Sequence, residues 1–347
     1  MRRHPGPLLI LAALGALGGA LSGQTPRPPA EVVRDIRDAA IAFLDALTQE
    51  QRDKAVFPFD DEAQKRRWSN LPVGAFERGG IRMGDLSAEQ RDLVWSIVAA
   101  TLSPRGYQQV RDTVNAEEVL ANGQRRSPFP FGRDEYFVSF VGEPSAEAPW
   151  MWQFGGHHLA LNATVVGDRV TLAPSITGGQ PADFEFEGRK VRLLASEEAA
   201  AHRFLNALSD EQRSAAIQGE KYVDWAFGPN AESIEPKPEG LRADTLDESQ
   251  RKLLLALITE RVGILNAVHA GLAMERIERD LDRTWFAWFG PTEADAAITF
   301  RIQSPAAIVE YAPQRLGGNP RDHLHAMYRE PGNDYGVRFL ATDERDR

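Results

Sequence analysis

Apolar residues Val33, Ile36, Ala40, Phe43 and Leu47 recur at spacings of three and four, which predicts a helix with one buried face. Thr48 with Gln51, Ser87 with Gln90 and Ser209 with Gln212 have the spacing of a capping box, so each marks a new helix start. Further helical runs are predicted over 88–101 and over 248–263, the second continuing toward 280. The period then changes to two. "EYFVSFVGEP" (135–144) and "RTWFAWFGPT" (283–292) alternate around aromatics and stop at glycine and proline, as strands do. "WMWQFGGHHLALNATVV" (150–166) and "AITFRIQSPAAIVEYAP" (297–313) follow them, and "GDRVTLAP" (167–174) and "HLHAMYR" (323–329) add short strands.

The chain also says some things twice. "FLDALTQEQR" (43–52) returns as "FLNALSDEQR" (204–213), and "GIRMGDLSAEQRDL" (80–93) as "GLRADTLDESQRKL" (240–253), with offsets of 161 and 160 residues. Helices followed by strands, twice, predict an α+β fold with mainly antiparallel sheet. It would consist of two related halves from an internal duplication, over 30–185 and 190–347. The stretch 174–190, with its Gly-Gly, proline and acids, is the expected junction, and the halves could be separate domains or one fused domain.

Composition narrows the classes. The 347 residues suffice for a proper core. Residues 1–23 read as a signal peptide: Arg2 and Arg3 form a basic start, Leu8 to Leu21 are apolar, and Ser22 and Gly23 offer a small-residue cleavage site. The expected localisation is therefore export, periplasmic or extracellular, with no integral membrane span in the mature chain. Loss of Arg2 and Arg3 would move the net charge from −10 to about −12. With that charge and no basic stripe interleaved with aromatics, nucleic acid is not an expected partner. There is no cysteine, so disulfides, thiolate ligands and thiol nucleophiles are excluded. No nucleophile-elbow serine and no phosphate-binding glycine loop occurs, and "GGQP" and "GGNP" read as turns.

Chemistry concentrates in the histidines, seven in all. His323 and His325 flank Leu324, so in a strand both imidazoles project from one face, about 6–7 Å apart. Such a pair can converge on one ion. His157 and His158 are adjacent, and a regular strand sends them to opposite faces, with His158 beside Asn162 as the better ligand. A bulge at Gly155–Gly156 would turn both inward. Aligning the repeats sets Glu310 opposite Asn162. Glu310 interrupts an apolar strand, where an acid is costly without a partner, and a hairpin from 306–312 to 323–329 would bring it beside the histidine pair. His202 and His269 lie in helical segments and read as structural. A site of His157, His158, His323 and His325 would suit a divalent transition metal, zinc first and copper, iron or manganese as alternatives. Arg329 offers a fork for an anionic group, and Asp334, Tyr328 and Tyr335 could orient ligands or move protons. As structural residues, Arg329 and Asp334 would instead pair across the turn at Pro331–Gly332. Trp150, Trp152, Trp285 and Trp288 could wall a pocket or simply fill the core.

The blocks "RRWSNLP" (66–72), "PWMWQFGGHHLALN" (149–162) and "HLHAMYREPGNDYG" (323–336), with the "LS..GY" of 102–107, resemble the hallmarks of the domain of unknown function 3500 family over nearly the whole chain after residue 23. The resemblance implies a shared site at these blocks but no particular activity. It also leads one to expect a further histidine after the DYG block, where this chain runs "VRFLATDERDR".

Three functions are compatible with these residues. The first is an exported metal-dependent enzyme acting on a small molecule, hydrolytic in preference to oxidative, with Glu310, Arg329, Asp334 and Tyr335 as catalytic candidates. The second is a non-catalytic exported protein that binds a small molecule or a metal. In the third the histidines are purely structural.

Overall fold

A computed structural model describes residues 27–123, 127–231, 237–316 and 318–346, so the expected signal peptide lies outside the described residues. Among the described residues, helices Pro29–Asp45 and Gln49–Ala55 come first, followed by short strands Val56–Phe57 and Ile81–Arg82. Helices Ala88–Thr101 and Pro104–Gly123 come next, then strands Phe137–Val141, Trp150–Gly156 and Leu159–Val166. The same order recurs farther on. Helices Ala195–Asn206 and Asp210–Ala216 precede strands Ile217–Gly219 and Leu241–Arg242; helices Glu248–Val262 and Ala267–Arg279 precede strands Trp285–Phe289, Thr299–Gln303 and Ile308–Pro313. The expected helix starts are present as full capping boxes at Thr48, Ser87 and Ser209. Val33, Ile36, Ala40 and Phe43 form the buried face of the first helix.

The fold is mixed α+β around a large, mostly antiparallel sheet of 13 strands. Each run of strands ends in one that reaches the centre of the sheet: Ser175–Gly179 and Leu324–Arg329, which pair antiparallel with each other. Outward from this seam stand Leu159–Val166 on one side and Ile308–Pro313 on the other. Val56–Phe57 and Ile217–Gly219 join the two ends in parallel register. The stretch 174–190, expected as a junction, therefore supplies a central strand, and Gly178–Gly179 of "GGQP" lies within it and not in a turn.

Side-chain alternation divides the sheet into two unequal faces. Leu159, Leu161, Leu324, Ala326 and Tyr328 join the helices in the main core. Ala160, Ile176 and Met327 form a smaller cluster on the other face with Trp68, Tyr335 and the half-buried Trp225, all carried by loops. His325 shares its face with Met327 and stands opposite Gly178 across the seam. A Cβ at Gly178 would fall 2.3 Å from the Leu324 carbonyl oxygen and 2.9 Å from the His325 ring. The glycine is thus what lets the two central strands and this imidazole approach. Gly178→Ala is expected to displace His325 and lower the free energy of unfolding by an amount typical of overpacking, about 1–3 kcal/mol. Unchanged stability and unchanged His325 NMR shifts would contradict that reading.

Candidate metal centre

His157 and His158 do not lie within a strand, as the sequence suggested, and no bulge turns them inward. They form the two-residue turn joining Trp150–Gly156 to Leu159–Val166, with Gly156 paired to Leu159. His158 takes the left-handed conformation (φ 61°), which a non-glycine residue adopts only when its surroundings hold it there. Two contacts do so. Its backbone N–H donates to the Asn70 carbonyl (3.1 Å), and its ring Nδ1 lies 2.9 Å from Oε1 of Glu117. The preceding glycine serves close packing: a Cβ at Gly156 would come within 2.7 Å of the Tyr136 ring, and the Tyr136 hydroxyl donates to the His157 carbonyl (3.1 Å).

Glu117, from helix Pro104–Gly123, is the carboxylate of the cluster, and the sequence reading missed it. A signal existed. Val110, Val114, Glu117 and Leu120 share one helix face at spacings of three and four, so the acid interrupts an apolar stripe. Its Oε1 also lies 2.8 Å from His157 Nδ1. Burial raises the Glu117 pKa, and the neighbouring His157 opposes the rise.

The other two imidazoles arrive from the seam. His323 immediately precedes strand Leu324–Arg329; its Nδ1 lies 2.6 Å from the Leu316 carbonyl and its Nε2 lies 2.9 Å from Nε2 of His158. A carbonyl can only accept, so His323 carries its proton on Nδ1. With Glu117 ionised, His158 does likewise toward its carboxylate. Both Nε2 atoms then present lone pairs to each other, an arrangement that a cation between them resolves. His325 is buried, and neither of its ring nitrogens has a hydrogen-bond partner. Its ring stacks on Trp225, with centroids 4.8 Å apart.

The centroids of the His158, His323 and His325 rings are 4.8, 5.2 and 4.9 Å apart. Imidazoles radiating from a tetrahedral ion with nitrogen–metal bonds near 2.0–2.1 Å would stand about 5 Å apart. Ligand atoms of these three residues lie within 4.8 Å of one another, as do those of Glu117, His157 and His158, so these buried groups could hold a metal ion. Burial first, and neighbouring imidazoles second, hold His158 and His325 well below the usual imidazole pKa; burial also lowers His323. In the metal-free protein, His158 and His325 are expected to protonate only at a lower pH than an exposed imidazole does. Nitrogen-15 shifts of the ring nitrogens followed against pH test this: titration no lower than that of an exposed imidazole would contradict the burial of these two groups.

The remaining expected site residues are brought to the loops that cover the centre, not to the imidazoles. Glu310 does sit in the hairpin beside the histidine strand, opposite Met327. Its carboxylate, however, accepts from Arg301 Nε (2.8 Å) and from the backbone N–H groups of Ala226 and Phe227 (2.9 Å each). Arg329 donates to the Phe227 and Gly228 carbonyls and to Asp334 Oδ2 (2.8 Å). Glu310 and Arg329 thus grip the segment 226–228 from opposite polarities, and that segment carries Trp225 onto His325. Tyr335 accepts from Trp68 Nε1 (2.8 Å), anchoring the loop whose Asn70 holds His158. Trp150, Trp152 and Trp288 are fully buried in the core, whereas Trp285 walls an open cleft of about 440 Å³ with Arg242, Arg283, Gln303 and Pro305. His269 bonds to Asn266 and to the Asp168 carbonyl, and His202 packs edge-on against Trp288.

Among the described residues no helix is long and apolar enough to cross a membrane. No curated protein and no solved structure matches the chain. One family model does, described as protein of unknown function (DUF3500), and it spans residues 29–337, which include Glu117, all four clustered histidines and the loops that position them. The chain belongs to that family.

Proposed function

We propose that this chain is a metal-dependent enzyme in which His158, His323 and His325 hold a divalent transition metal ion. The observation that carries this reading is the 2.9 Å approach of two Nε2 atoms whose partner nitrogens are committed elsewhere, to Glu117 and to the Leu316 carbonyl. Zinc is the favoured ion, because an all-imidazole set without sulfur suits it and it needs no redox partner. A metal in such a site polarises a carbonyl and lowers the pKa of a bound water, so hydrolysis of a small-molecule ester or amide is the favoured reaction. The protein's own part is to orient. Glu117 fixes the tautomer and ring direction of His158, and the Leu316 carbonyl does the same for His323. Phe131 stacks on His157 with centroids 5.3 Å apart, and Trp225 covers His325. Leu316, whose carbonyl holds His323, exposes 76% of its surface. These groups suit a substrate with an apolar body. Turnover of a panel of aryl and alkyl esters and amides by zinc-loaded protein, abolished by His323→Ala, is the expected result; no turnover with metal bound at full occupancy would overturn it.

One observation favours a second reading, a protein that captures metal without turnover. His158, His323 and His325 are each exposed by 3% or less, whereas a hydrolytic centre keeps a position open to water. Stoichiometric metal with no reaction on any ester, phosphate or glycoside would support it.

The paired sequence blocks at offsets of 160 and 161 residues, together with the recurring element order, support an origin by internal duplication. On that reading the metal centre forms where the two copies meet, with His158 from one and His323 and His325 from the other. Export rests on the basic and apolar start of the chain and is tested by the mass of the mature protein from a culture supernatant or periplasmic extract.

A further inference from the structure

The His158 imidazole belongs to two clusters at once, through different nitrogens. Nε2 faces His323 and His325; Nδ1 faces Oε1 of Glu117 (2.9 Å), beside which lies Nδ1 of His157 (2.8 Å). Building on the metal-centre reading above, we propose that Glu117, His157 and His158 form a second divalent-cation position, with the His158 ring bridging the two ions.

Two observations support it. First, the ligand atoms of Glu117, His157 and His158 converge to within 4.8 Å of one another, as those of the other triad do. Second, a single oxygen, Oε1 of Glu117, lies 2.8 Å from His157 Nδ1 and 2.9 Å from His158 Nδ1, so one carboxylate faces both imidazole nitrogens. The His157 and His158 rings stack with centroids 3.6 Å apart and planes 27° from parallel, so the His157 ring turns off its neighbour when both Nδ1 lone pairs meet one ion. Such a site offers one carboxylate oxygen and two imidazole nitrogens, a set suited to zinc or copper(II).

Binding there forms a bond from the cation to Nδ1 of His158 and breaks the N–H bond that otherwise donates to Glu117; the proton leaves to solvent. No electron moves. The buried Arg78 guanidinium, whose charge acts on Glu117, makes this the weaker position of the two. The His157 side chain is 14% exposed, whereas that of His158 is fully buried, so the second position lies nearer the surface on the His157 side.

The test uses the full chain after chelation and dialysis, titrated with Zn²⁺ and separately with Cu²⁺. The wild type is expected to take up two equivalents in two phases, the second weaker, and the two-copper form to show magnetic coupling through the shared ring in its electron paramagnetic resonance spectrum. His157→Ala is expected to bind one equivalent, with its tight phase unchanged. His157→Gln serves as a second variant should the alanine form fail to fold, as judged by circular dichroism. One equivalent in the wild type, or two in both His157 variants, would overturn the second position and leave the first standing. No bound metal in the wild type would overturn both.

Discussion

His325→Phe is expected to abolish tight metal binding while leaving the metal-free protein as stable as before, or more so. On the proposed reading the substitution takes one of three imidazoles from the ion, an effect expected to exceed the roughly 10–100-fold that outer partners contribute. The stability prediction follows from burial. Neither ring nitrogen of His325 is hydrogen-bonded, and an unpaired buried polar atom costs about 1–3 kcal/mol. Phenylalanine removes both such atoms, keeps a flat ring against Trp225 and retains the stacking contact. Calorimetric metal titration and urea unfolding of the chelated protein measure the two effects separately. A histidine kept for structure alone would show the opposite pattern: lower stability in the variant, and no change in metal uptake.

Glu117→Gln is expected to weaken the tight metal position by about 10–100-fold without emptying it. On the proposed reading the carboxylate is not a ligand of the ion at Nε2 of His158; it accepts from Nδ1 on the far side of the ring and so fixes which nitrogen is free. Glutamine keeps an acceptor oxygen but loses the charge that makes the imidazole a stronger ligand. Competition with a chelator of known affinity measures the change. An unaltered affinity would mean that the His158 ring is oriented by its backbone turn and by Asn70 alone.

The helices were legible because their signals are local. The capping boxes at Thr48, Ser87 and Ser209 each specify a start within four residues, and the apolar stripe of the first helix specifies its buried face. The strand Leu324–Arg329, which carries His325 and directly follows His323, was legible in the same way, from its flanking turns and its period. The site was less so. A two-residue turn of His-His has none of the glycine or asparagine that marks such turns, so its left-handed residue was invisible without the contacts to Asn70 and Glu117 that impose it. The central strand Ser175–Gly179 reads as loop because glycines are poor strand formers, and they are tolerated here since Gly178 faces His325 at close range. Trp225 sits in a segment without periodicity, so only the grip of Glu310 and Arg329 on residues 226–228 reveals why it meets the centre. The isolated acid at 310 did need a partner, as expected, and found it across the strand pair at Arg301.

The most direct measurement is elemental analysis of the untagged protein after gel filtration, paired with thermal unfolding before and after chelation. At least one equivalent of zinc or another transition metal per chain, and a melting temperature that falls when the metal is removed, is the predicted result. Less than about a tenth of an equivalent, with a melting temperature unmoved by added zinc, copper, manganese or iron, would contradict it, since a tightly bound ion must stabilise the state that binds it.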